Sequence, residues 1–367
     1  MLSWSSIFTQ MWPSKPPFTE KDVPDLHGKV YIVTGSNTGV GKELAQILYS
    51  KNAKVYIAAR SEEKANHAIA DLRKAWPNST GDLVFLHLDL ADFDQIKSAA
   101  EQFTARETKL HVLFNNAAVQ ALGDSEGQTK TAQGHELHLG VNVLGVFLLT
   151  RLLTPILKAT AAAEPAGSVR VVWVSSMGTE AVGEKGRGIS EDYLSYWPSL
   201  MPLERYGVSK AGAWLHGAEF ARRHAGDGIV SVPCNPGHLR SDLYRESGWL
   251  FKTAISPVLY PPVFGAYTEL FCGLSPAITV GDSGKWGELV LIPLYFSDEM
   301  GETNENVSVV PWGRLYEIRK DLQDATKTED EGGNGHARKF WEWSEEQIRG
   351  HYGTDSLQNV IIGAFVV

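Results

Sequence analysis

The chain has 367 residues, of which 43% are hydrophobic and 21% are charged. This composition is typical of a globular protein and excludes wholesale disorder. The net charge of -9 argues against nucleic acid as the main partner, because nucleic-acid-binding surfaces are basic. Cys234 and Cys272 are the only cysteines. Neither a disulfide framework nor a cysteine-based metal site is therefore expected, and a reducing, cytoplasmic location fits best.

The N-terminal residues 1–27 are predicted to form an arm ahead of the folded domain. They contain no apolar run of the ~18 residues that a membrane span needs, and the positive start of a secretory signal is missing. We expect the arm to pack on the body of the chain or on a partner subunit, with attachment to a membrane surface as the alternative. Four of its side chains follow helical spacing: Ile7, Phe8, Met11 and Trp12.

Strand-like and helix-like segments alternate without interruption from Lys29 to Gly237. Helical patterns, including a long one over 131–163 and another over 206–225, separate the strand-like runs. This alternation predicts an α/β fold with a doubly wound parallel sheet and helices on both faces. The β-branched apolar runs, typical of strands buried on both faces, are 29–34, 54–60, 83–90, 111–116, 169–175 and 228–232.

A glycine-rich segment lies between the first predicted strand and the helix that follows it. Its three glycines let the backbone turn tightly and approach a pyrophosphate at a helix N-terminus. A glycine triplet is a weak signal alone, but the strand-to-helix context is the one that supports it. The sequence therefore predicts a dinucleotide site over the whole segment: Gly35, Ser36, Asn37, Thr38, Gly39, Val40 and Gly41.

Tyr206 and Lys210 are four residues apart at the start of the predicted helix 206–225. On a helix this spacing puts both side chains on one face. A neighbouring ammonium lowers the pKa of a phenol from its usual ~10 and makes it a competent proton donor or acceptor. The same spacing is common in surface pairs, so the interpretation depends on the rest of the chain.

Together these motifs resemble the short-chain dehydrogenase/reductase family. The segment Thr34-Gly35-x-x-x-Gly39-x-Gly41 resembles the nucleotide loop of the family. The Tyr206–Lys210 pair resembles the tyrosine and lysine of the family's active site. Three later segments resemble fungal short-chain reductases related to retinol dehydrogenases: 262–275, 311–314 and 340–343. The resemblance covers Lys29 to Tyr352.

The resemblance implies a single Rossmann-type domain over residues 28–355, with about seven strands and a small C-terminal substrate lobe at about 242–285. Two strand-like segments, 289–294 and 307–310, compete for the seventh strand. The apolar tail 356–367 is too short to cross a membrane. We expect this tail to dock on the body of the chain or at a dimer interface. In the second case the protein would be a homo-oligomer.

The family pattern also implies a catalytic tetrad. Ser176 would hydrogen-bond the reacting oxygen, with Ser175 as the second choice, and Tyr206 would give or take the proton. Lys210 would lower the pKa of Tyr206 and hold the nicotinamide ribose, while Asn142 would link the lysine to solvent through a water. Hydride would pass between the nicotinamide and a carbonyl or carbinol carbon, with the protein supplying position and electrostatics.

The residue at the end of the second strand predicts the cofactor. NAD-selective enzymes usually carry an acid there, which holds the ribose 2′-hydroxyl. Arg60 would instead pair with a 2′-phosphate, so the predicted cofactor is NADP(H); a merely solvated Arg60 would leave the preference open. Ala118 and Ser241 depart from the usual glycine and threonine of the family. The remaining cofactor positions implied by the resemblance are Asp89, Leu90, Asn115, Asn116, Ala117, Tyr206, Lys210, Pro236, Gly237, Leu239 and Ser241.

Substrate selection in this fold occurs in loops beyond the carboxyl ends of the strands. In this chain those loops are 118–128, 177–205 and 242–262. The implied substrate is a small to medium-sized apolar carbonyl or alcohol of specialised metabolism, unless the aromatic residues only pack the lid. No metal is predicted, because His135 and His138 lack a third ligand. The aromatic residues of the loops are Tyr193, Tyr196, Trp197, Tyr244, Trp249, Phe251 and Tyr260.

Three functions fit this pattern. The first is an NADP(H)-dependent reductase or dehydrogenase, and the second is an isomerase, epimerase, dehydratase or cyclase that uses the same pocket. The third is an NADP(H)-binding sensor without activity. The presence of Ser176, Tyr206 and Lys210 together argues against a sensor, and the sequence does not separate the first two.

Overall fold

A central β-sheet with helices on both faces forms the body of the chain in this computed structural model. The structure describes residues 10–195, 199–240, 259–283, 308–316 and 318–349. Within these residues the sheet has eight strands: β1 (Val30–Thr34), β2 (Lys54–Ala59), β3 (Asp82–His87), β4 (Val112–Asn115), β5 (Val169–Val174), β6 (Ile229–Cys234), β7 (Ser308–Val310) and β8 (Arg314–Tyr316).

The strands lie in the order β3-β2-β1-β4-β5-β6-β7-β8. Strands β1 to β6 pair in parallel, as the alternation of segments predicts. In β1, β4, β5 and β6 every residue is buried, which explains their continuous apolar runs. The predicted doubly wound α/β fold is confirmed.

The far edge of the sheet differs from the predicted count of about seven strands. Strand β7 pairs with β6 at one position, Cys234 with Val309, and β8 returns antiparallel to β7. A turn through Trp312 and Gly313, with φ of 72° and 80°, joins these two strands. Strand β8 was not predicted, because three residues carry too little periodicity. The competing segment 289–294 lies outside the described residues.

Helices follow most of the strands and complete the layers. They are α1 (Gly39–Ser50), α2 (Glu62–Ala75), α3 (Phe93–Thr104), α4 (Leu137–Leu139, the π-helical Gly140–Gly145 and Val146–Ala163), α5 (Gly178–Val182), α6 (Glu191–Ser195), α7 (Pro202–Arg223), α8 (Pro262–Leu274), α9 (Lys320–Thr326) and α10 (His336–Arg349). Short 3₁₀ turns cover Ala225–Asp227 and Val280–Asp282.

Two apolar cores lie on opposite faces of the sheet. Helices α3, α4, α7, α9 and α10 bury their apolar side chains in one core, around residues such as Phe147, Trp214 and Trp341. Helices α1, α2 and α8 bury theirs in the other, around Leu44 and Leu270. Burying a large apolar side chain contributes about 1.5–3 kcal/mol. These cores therefore hold the strand ends in fixed positions.

Local sequence signals set the ends of two helices that matter for the site. The Ser61 hydroxyl accepts a hydrogen bond from the Lys64 amide at 3.3 Å, so Ser61 is the N-cap of α2. Helix α7 begins at Pro202 rather than at Tyr206, since proline suits the first helical turn and the Glu204 carboxylate accepts from the Met201 amide at 2.9 Å. Tyr206 accordingly lies in the second turn.

Helix α4 is the longest helix of the described residues. The predicted start at residue 131 is too early, because 131–136 form a turn that precedes Leu137. Leu137–Ala163 is long and apolar enough to cross a membrane, but 83% of that apolar stretch is buried inside the protein. Such burial is what a core helix of a globular protein shows.

The described part of the N-terminal arm packs on the body of the chain. Phe18, Val23 and Leu26 are buried in the core beside α1 and α8. Ahead of them, Gln10 is only 2% exposed. This agrees with an arm that packs on its own chain, and residues 1–9 lie outside the described residues.

Candidate active site

A cavity of about 850 Å³ runs along the carboxyl ends of the parallel strands. Open α/β sheets bind ligands at this edge, where the strand order reverses between β1 and β4. We call the part lined by Gly35–Gly41 and Arg60 the β1–β2 end. We call the part lined by Ser176, Tyr206, Lys210 and the residues that follow β5 and β6 the β5–β6 end.

Most of the predicted site residues line this cavity. The exceptions are Ser36, Asn115 and Asn142, which are buried behind its wall, and Ser241, which lies outside the described residues. The predicted residues in the lining are Gly35, Asn37, Thr38, Gly39, Val40, Gly41, Arg60, Asp89, Leu90, Asn116, Ala117, Ser176, Tyr206, Lys210, Pro236, Gly237 and Leu239.

The glycine segment leaves no room for side chains at its closest approach to the sheet. Gly35 and Gly39 have φ of +69° and +56°, a region that favours glycine. A Cβ on Gly41 would lie 2.6 Å from Nδ2 of Asn116 and 2.8 Å from the Gly35 oxygen. All three glycines line the cavity at the start of α1, an arrangement suited to a pyrophosphate.

Thr34 joins the glycine segment to the end of β4. Its hydroxyl accepts from the Ala117 amide at 2.9 Å and donates to the Phe114 carbonyl at 3.2 Å. Its own carbonyl accepts from Nδ2 of Asn116 at 2.7 Å. Sequence reasoning quoted Thr34 only as part of the motif and gave it no role. Its position directly before Gly35 was the available signal.

Two of the predicted residues turn away from the cavity. The Ser36 hydroxyl donates to the Val33 carbonyl at 2.7 Å. The Asn115 amide donates to the Thr150 hydroxyl on α4 at 2.9 Å. Both side chains therefore hold the strand ends rather than line the space where a cofactor would lie.

Helix α7 presents Tyr206 and Lys210 to the cavity. The Lys210 ammonium donates to the Val174 carbonyl at 2.8 Å and lies 5.8 Å from the centre of the Tyr206 ring. Burial lowers the pKa of Lys210 from 10.5 to about 8, because desolvation penalises the cation, while Cys234 and Glu269 oppose the shift. Lys210 is buried and Tyr206 is half-buried, which excludes the surface-pair interpretation.

The two serines after β5 have different partners. The Ser175 hydroxyl is bonded to the Thr179 hydroxyl at 2.8 Å and to the Lys210 carbonyl at 2.8 Å. The Ser176 hydroxyl is half-buried and accepts from the Gly178 amide at 3.1 Å, which leaves its own proton for another acceptor. Ser176 is thus the better placed of the two for a reacting oxygen.

Asn142 lies in the π-helical segment of α4 and acts on its neighbours through its side chain. Its oxygen accepts from the Val119 amide at 2.8 Å, and its nitrogen donates to the Val119 carbonyl at 3.0 Å. The nitrogen also donates to the Ser209 hydroxyl at 3.0 Å, which in turn donates to the Tyr206 carbonyl at 2.6 Å. Asn142 thereby fixes the loop after β4 and the turn of α7 that carries Tyr206.

At the β1–β2 end a second cation accompanies Arg60. Lys64, in the first turn of α2, also lines the cavity, as does Ser61, which lies between Arg60 and Lys64 in the sequence. Both cations are exposed. Sequence reasoning missed Lys64, although its position one helical turn after Arg60 was a signal that could have found it.

Apolar side chains dominate the wall of the β5–β6 end, where Leu239 and Pro236 were the residues predicted. Of the predicted aromatic residues, Tyr260 does not line the cavity, the Tyr193 side chain is not described, and the others lie outside the described residues. The His238 side chain lines the wall, and burial lowers its pKa. Seven apolar residues of the lining lie in the loops predicted to select the substrate: Val119, Ala121, Met177, Ala181, Val182, Leu203 and Leu259. Met11, Leu137 and Val141 also line the cavity, and the sequence did not predict them.

Of the two histidines considered as metal ligands, His138 has other partners on both ring nitrogens. Nδ1 of His138 lies 2.6 Å from the Glu136 carboxylate, and its Nε2 accepts from the Ala121 amide at 3.1 Å. Within the described part of the chain, no group of three or more His, Cys, Asp or Glu residues could hold a metal ion.

The features described so far define a nucleotide-binding α/β enzyme fold. They are glycines at a helix start, a cavity at the carboxyl edge of a parallel sheet, and a Ser-Tyr-Lys cluster in the wall of that cavity. A family model described as short chain dehydrogenase matches residues 29–187. The chain is 58% identical over 345 residues to the short-chain dehydrogenase/reductase bet4 of Neocamarosporium betae, covering 94% of this chain and 93% of that one. It is 63% identical over 296 residues to sthC of Phaeosphaeria nodorum, covering 81% and 94%.

Among solved structures, the fold resembles a ketoacyl-(acyl-carrier-protein) reductase from Brucella melitensis complexed with NADH. The TM-score is 0.53 at 22% identity, covering 69% of this chain and 95% of that one. The chain therefore belongs to the short-chain dehydrogenase/reductase family, a family of oxidoreductases. The predicted family and its fungal relatives are confirmed.

Proposed function

We propose that the protein transfers a hydride between NADP(H) and an apolar ketone, aldehyde or secondary alcohol. The observation that carries this proposal is that Ser176, Tyr206 and Lys210 line the same cavity as the glycine segment 35–41. A proton donor and a hydride carrier must meet on one carbonyl group, so both must reach one space. We further propose a cytoplasmic enzyme of specialised metabolism.

The β1–β2 end supports NADP(H) as the cofactor. Arg60 and Lys64 both line it, with Asp89 as the one carboxylate of the described lining, and a 2′-phosphate pairs with such cations through charge-assisted hydrogen bonds. The glycine segment lines the cavity at the N-terminus of α1, where backbone amides suit a pyrophosphate. When bound, the nicotinamide supplies or accepts the hydride.

The β5–β6 end supports proton transfer by side chains. In the reducing direction the Ser176 hydroxyl hydrogen-bonds the carbonyl oxygen, and the Tyr206 hydroxyl gives that oxygen its proton. Lys210, held by the Val174 carbonyl, supplies a cation beside the phenol and favours the phenolate left behind. With a pKa of about 8, Lys210 is mostly protonated at neutral pH and so carries the charge this role needs.

Asn142 and Ser175 have supporting roles in this proposal. Asn142 holds the Tyr206 turn through Ser209, and Ser175 holds the Lys210 backbone. These contacts fix the proton donor in position before the substrate arrives, which removes reorganisation from the reaction. The apolar wall around them favours a substrate with little charge.

A direct test is NADPH consumption with a panel of apolar ketones and aldehydes, using wild type and Tyr206→Phe. We expect wild-type turnover with part of the panel and a ~10²–10⁴-fold lower rate in the variant, the usual worth of a general acid. Ser209→Ala, which keeps the phenol, is the matched control and should lose far less. Undiminished turnover in Tyr206→Phe would overturn the proposed proton donor.

A further inference from the structure

The N-terminal arm enters the wall of the β5–β6 end through one buried residue. Gln10 donates from Nε2 to the Glu180 carboxylate at 2.7 Å, and its Oε1 accepts from Nδ2 of Asn235 at 2.6 Å. Glu180 lies on α5, and Asn235 directly follows β6. The amide of Gln10 thus bridges the two segments that form this end of the cavity.

Both partners of Gln10 are themselves fixed. The other carboxylate oxygen of Glu180 accepts from the Arg319 amide at 3.0 Å. The side-chain oxygen of Asn235 accepts from the Gly237 amide at 3.1 Å, and Gly237 lines the cavity. Buried polar groups with all partners in place hold one geometry. The bridge therefore sets the position of the next residue of the arm.

That next residue, Met11, lines the cavity. Its carbonyl accepts from the Tyr260 hydroxyl at 3.2 Å. Tyr260 is tied to the loop after β6, because its amide donates to the His238 carbonyl and its carbonyl accepts from the Arg240 amide, both at 2.8 Å. The backbone of the arm is thus held on either side of the Met11 side chain.

Met11 shares its wall with apolar residues of the β5–β6 end. Met177 directly precedes α5, and Ala181 lies within it. Leu259 precedes Tyr260 in the loop that holds the arm. Arg60 and the glycine segment lie at the opposite end, on β1 and β2. A methionine is flexible and polarizable, and it adapts to apolar groups of different shape. Met11 therefore faces the part of the cavity where the non-reacting portion of a substrate would lie.

We propose that Met11 is a specificity-determining residue, and that Gln10 positions it by bridging α5 and the loop after β6. The inference rests on the proposed function and deepens it: the arm supplies one wall of the substrate site. The occupant is the apolar chain or ring of a carbonyl substrate, at a distance from the carbonyl group itself.

The test uses the full-length protein, NADPH and a series of methyl ketones with alkyl chains from ethyl to decyl. We expect Met11→Trp to lower kcat/KM for the longest ketones at least ~10-fold, with little change for the shortest, since one methylene in an apolar pocket is worth about that much. Met11→Ala should move the preference towards longer chains. Gln10→Leu should raise KM for long ketones more than it lowers kcat.

Two controls separate this role from a structural one. Trp12→Ala changes the neighbouring side chain, which is 52% exposed and absent from the cavity wall, and should leave the chain-length profile unchanged. The Kd of NADPH, measured by fluorescence, should stay within about two-fold of wild type in every variant and reports that the fold is intact. A chain-length profile that is identical in Met11→Trp, Met11→Ala and wild type would overturn the inference.

Ketone binding by calorimetry in the presence of NADP⁺ distinguishes this inference from the proposed function. If wild type binds the long ketones but oxidises no NADPH, the proposed function fails, and a weaker Kd in Met11→Trp still supports the role of Met11. If wild type reduces the ketones and the Met11 variants match it, only the role of Met11 fails. A wild type that neither binds nor reduces any ketone of the series counts against both.

Discussion

At the β1–β2 end of the cavity the contiguous segment Gly35–Gly41 lies in the wall, whereas at the β5–β6 end the wall is assembled from residues far apart in sequence. Gly35 to Gly41 approach the site through their backbone. Gln10, by contrast, meets partners 170 and 225 residues away. The first end depends on local backbone geometry, so relatives can share it. The second depends on side-chain packing and can change its ligand without disturbing the fold.

The two ends also differ electrostatically. Arg60 and Lys64 leave exposed cations at the β1–β2 end. At the β5–β6 end the only cation in the described lining is Lys210, which is fully buried and lowered in pKa. Exposed cations suit the binding of a phosphate, while a buried cation costs stability and changes the pKa values beside it. Three substitutions test this division.

The largest effect is expected at the buried cation. Lys210→Met should lower turnover at least ~10²-fold, because the phenol loses the charge that supports proton transfer. At about 1.4 kcal/mol per pKa unit, the fall from 10.5 to about 8 corresponds to a penalty of about 3 kcal/mol for the folded cation. The variant should therefore match or exceed wild type in Tm at neutral pH despite its loss of activity.

The pH dependence gives the sign of this effect. Between pH 8 and 10.5 the folded wild type binds fewer protons at Lys210 than the unfolded chain does, so this group makes stability rise with pH there. Lys210→Met should lack that rise. Chemical denaturation at several pH values measures it, and equal slopes for the two proteins in this window would contradict the assigned penalty.

An intermediate effect is expected in the glycine segment. A Cβ at position 41 would lie 2.6 Å from Nδ2 of Asn116 and displace its bond to Thr34. Gly41→Ala should weaken NADPH binding about 10-fold, within the ~1–3 kcal/mol cost of overpacking. Fluorescence titration measures the Kd. Gly226→Ala is the matched control, because no atom lies within 4 Å of its Cβ, and a similar loss in that variant would refute the steric argument.

The smallest effect is expected at the exposed cation, where it concerns cofactor choice. Arg60→Glu should lower kcat/KM for NADPH about 5-fold, since an ion pair at an exposed site is worth up to about 1 kcal/mol, and should favour NADH instead. Arg106→Glu makes the same charge change at an exposed site outside the cavity wall. If both variants shift the preference equally, net charge and not Arg60 sets it.

The sequence was sufficient for the parts of the molecule that local physics determines. Buried strands carry β-branched runs, so β1 to β6 and their parallel pairing could be predicted, as could the glycine turn before α1. The start of α7 was misjudged because Pro202 and the Glu204 cap outweigh the motif at Tyr206. Strand β8 was missed because its pairing depends on β7 and not on its own pattern.

The β5–β6 end could be predicted only in part. Ser176, Tyr206 and Lys210 were found through their resemblance to a motif, and they line the cavity. Met11 was not found, because its place depends on the buried bridge of Gln10 to α5 and to the loop after β6. Long-range contacts of this kind leave no periodic signal in the sequence. The proton path through Asn142 stays a prediction, and the contacts of its side chain with Val119 and Ser209 could not be read from the sequence.

The central claim is that one cavity brings a hydride carrier and the Tyr206 hydroxyl to the same carbonyl group. The most direct measurement uses NADPH with deuterium at the transferable C4 position and a ketone that wild type consumes. The product alcohol should carry one deuterium on its carbinol carbon, and Tyr206→Phe should bind NADPH normally yet form almost no labelled product. A product without deuterium, formed while NADPH is not consumed, would contradict the claim and indicate isomerase- or dehydratase-type chemistry.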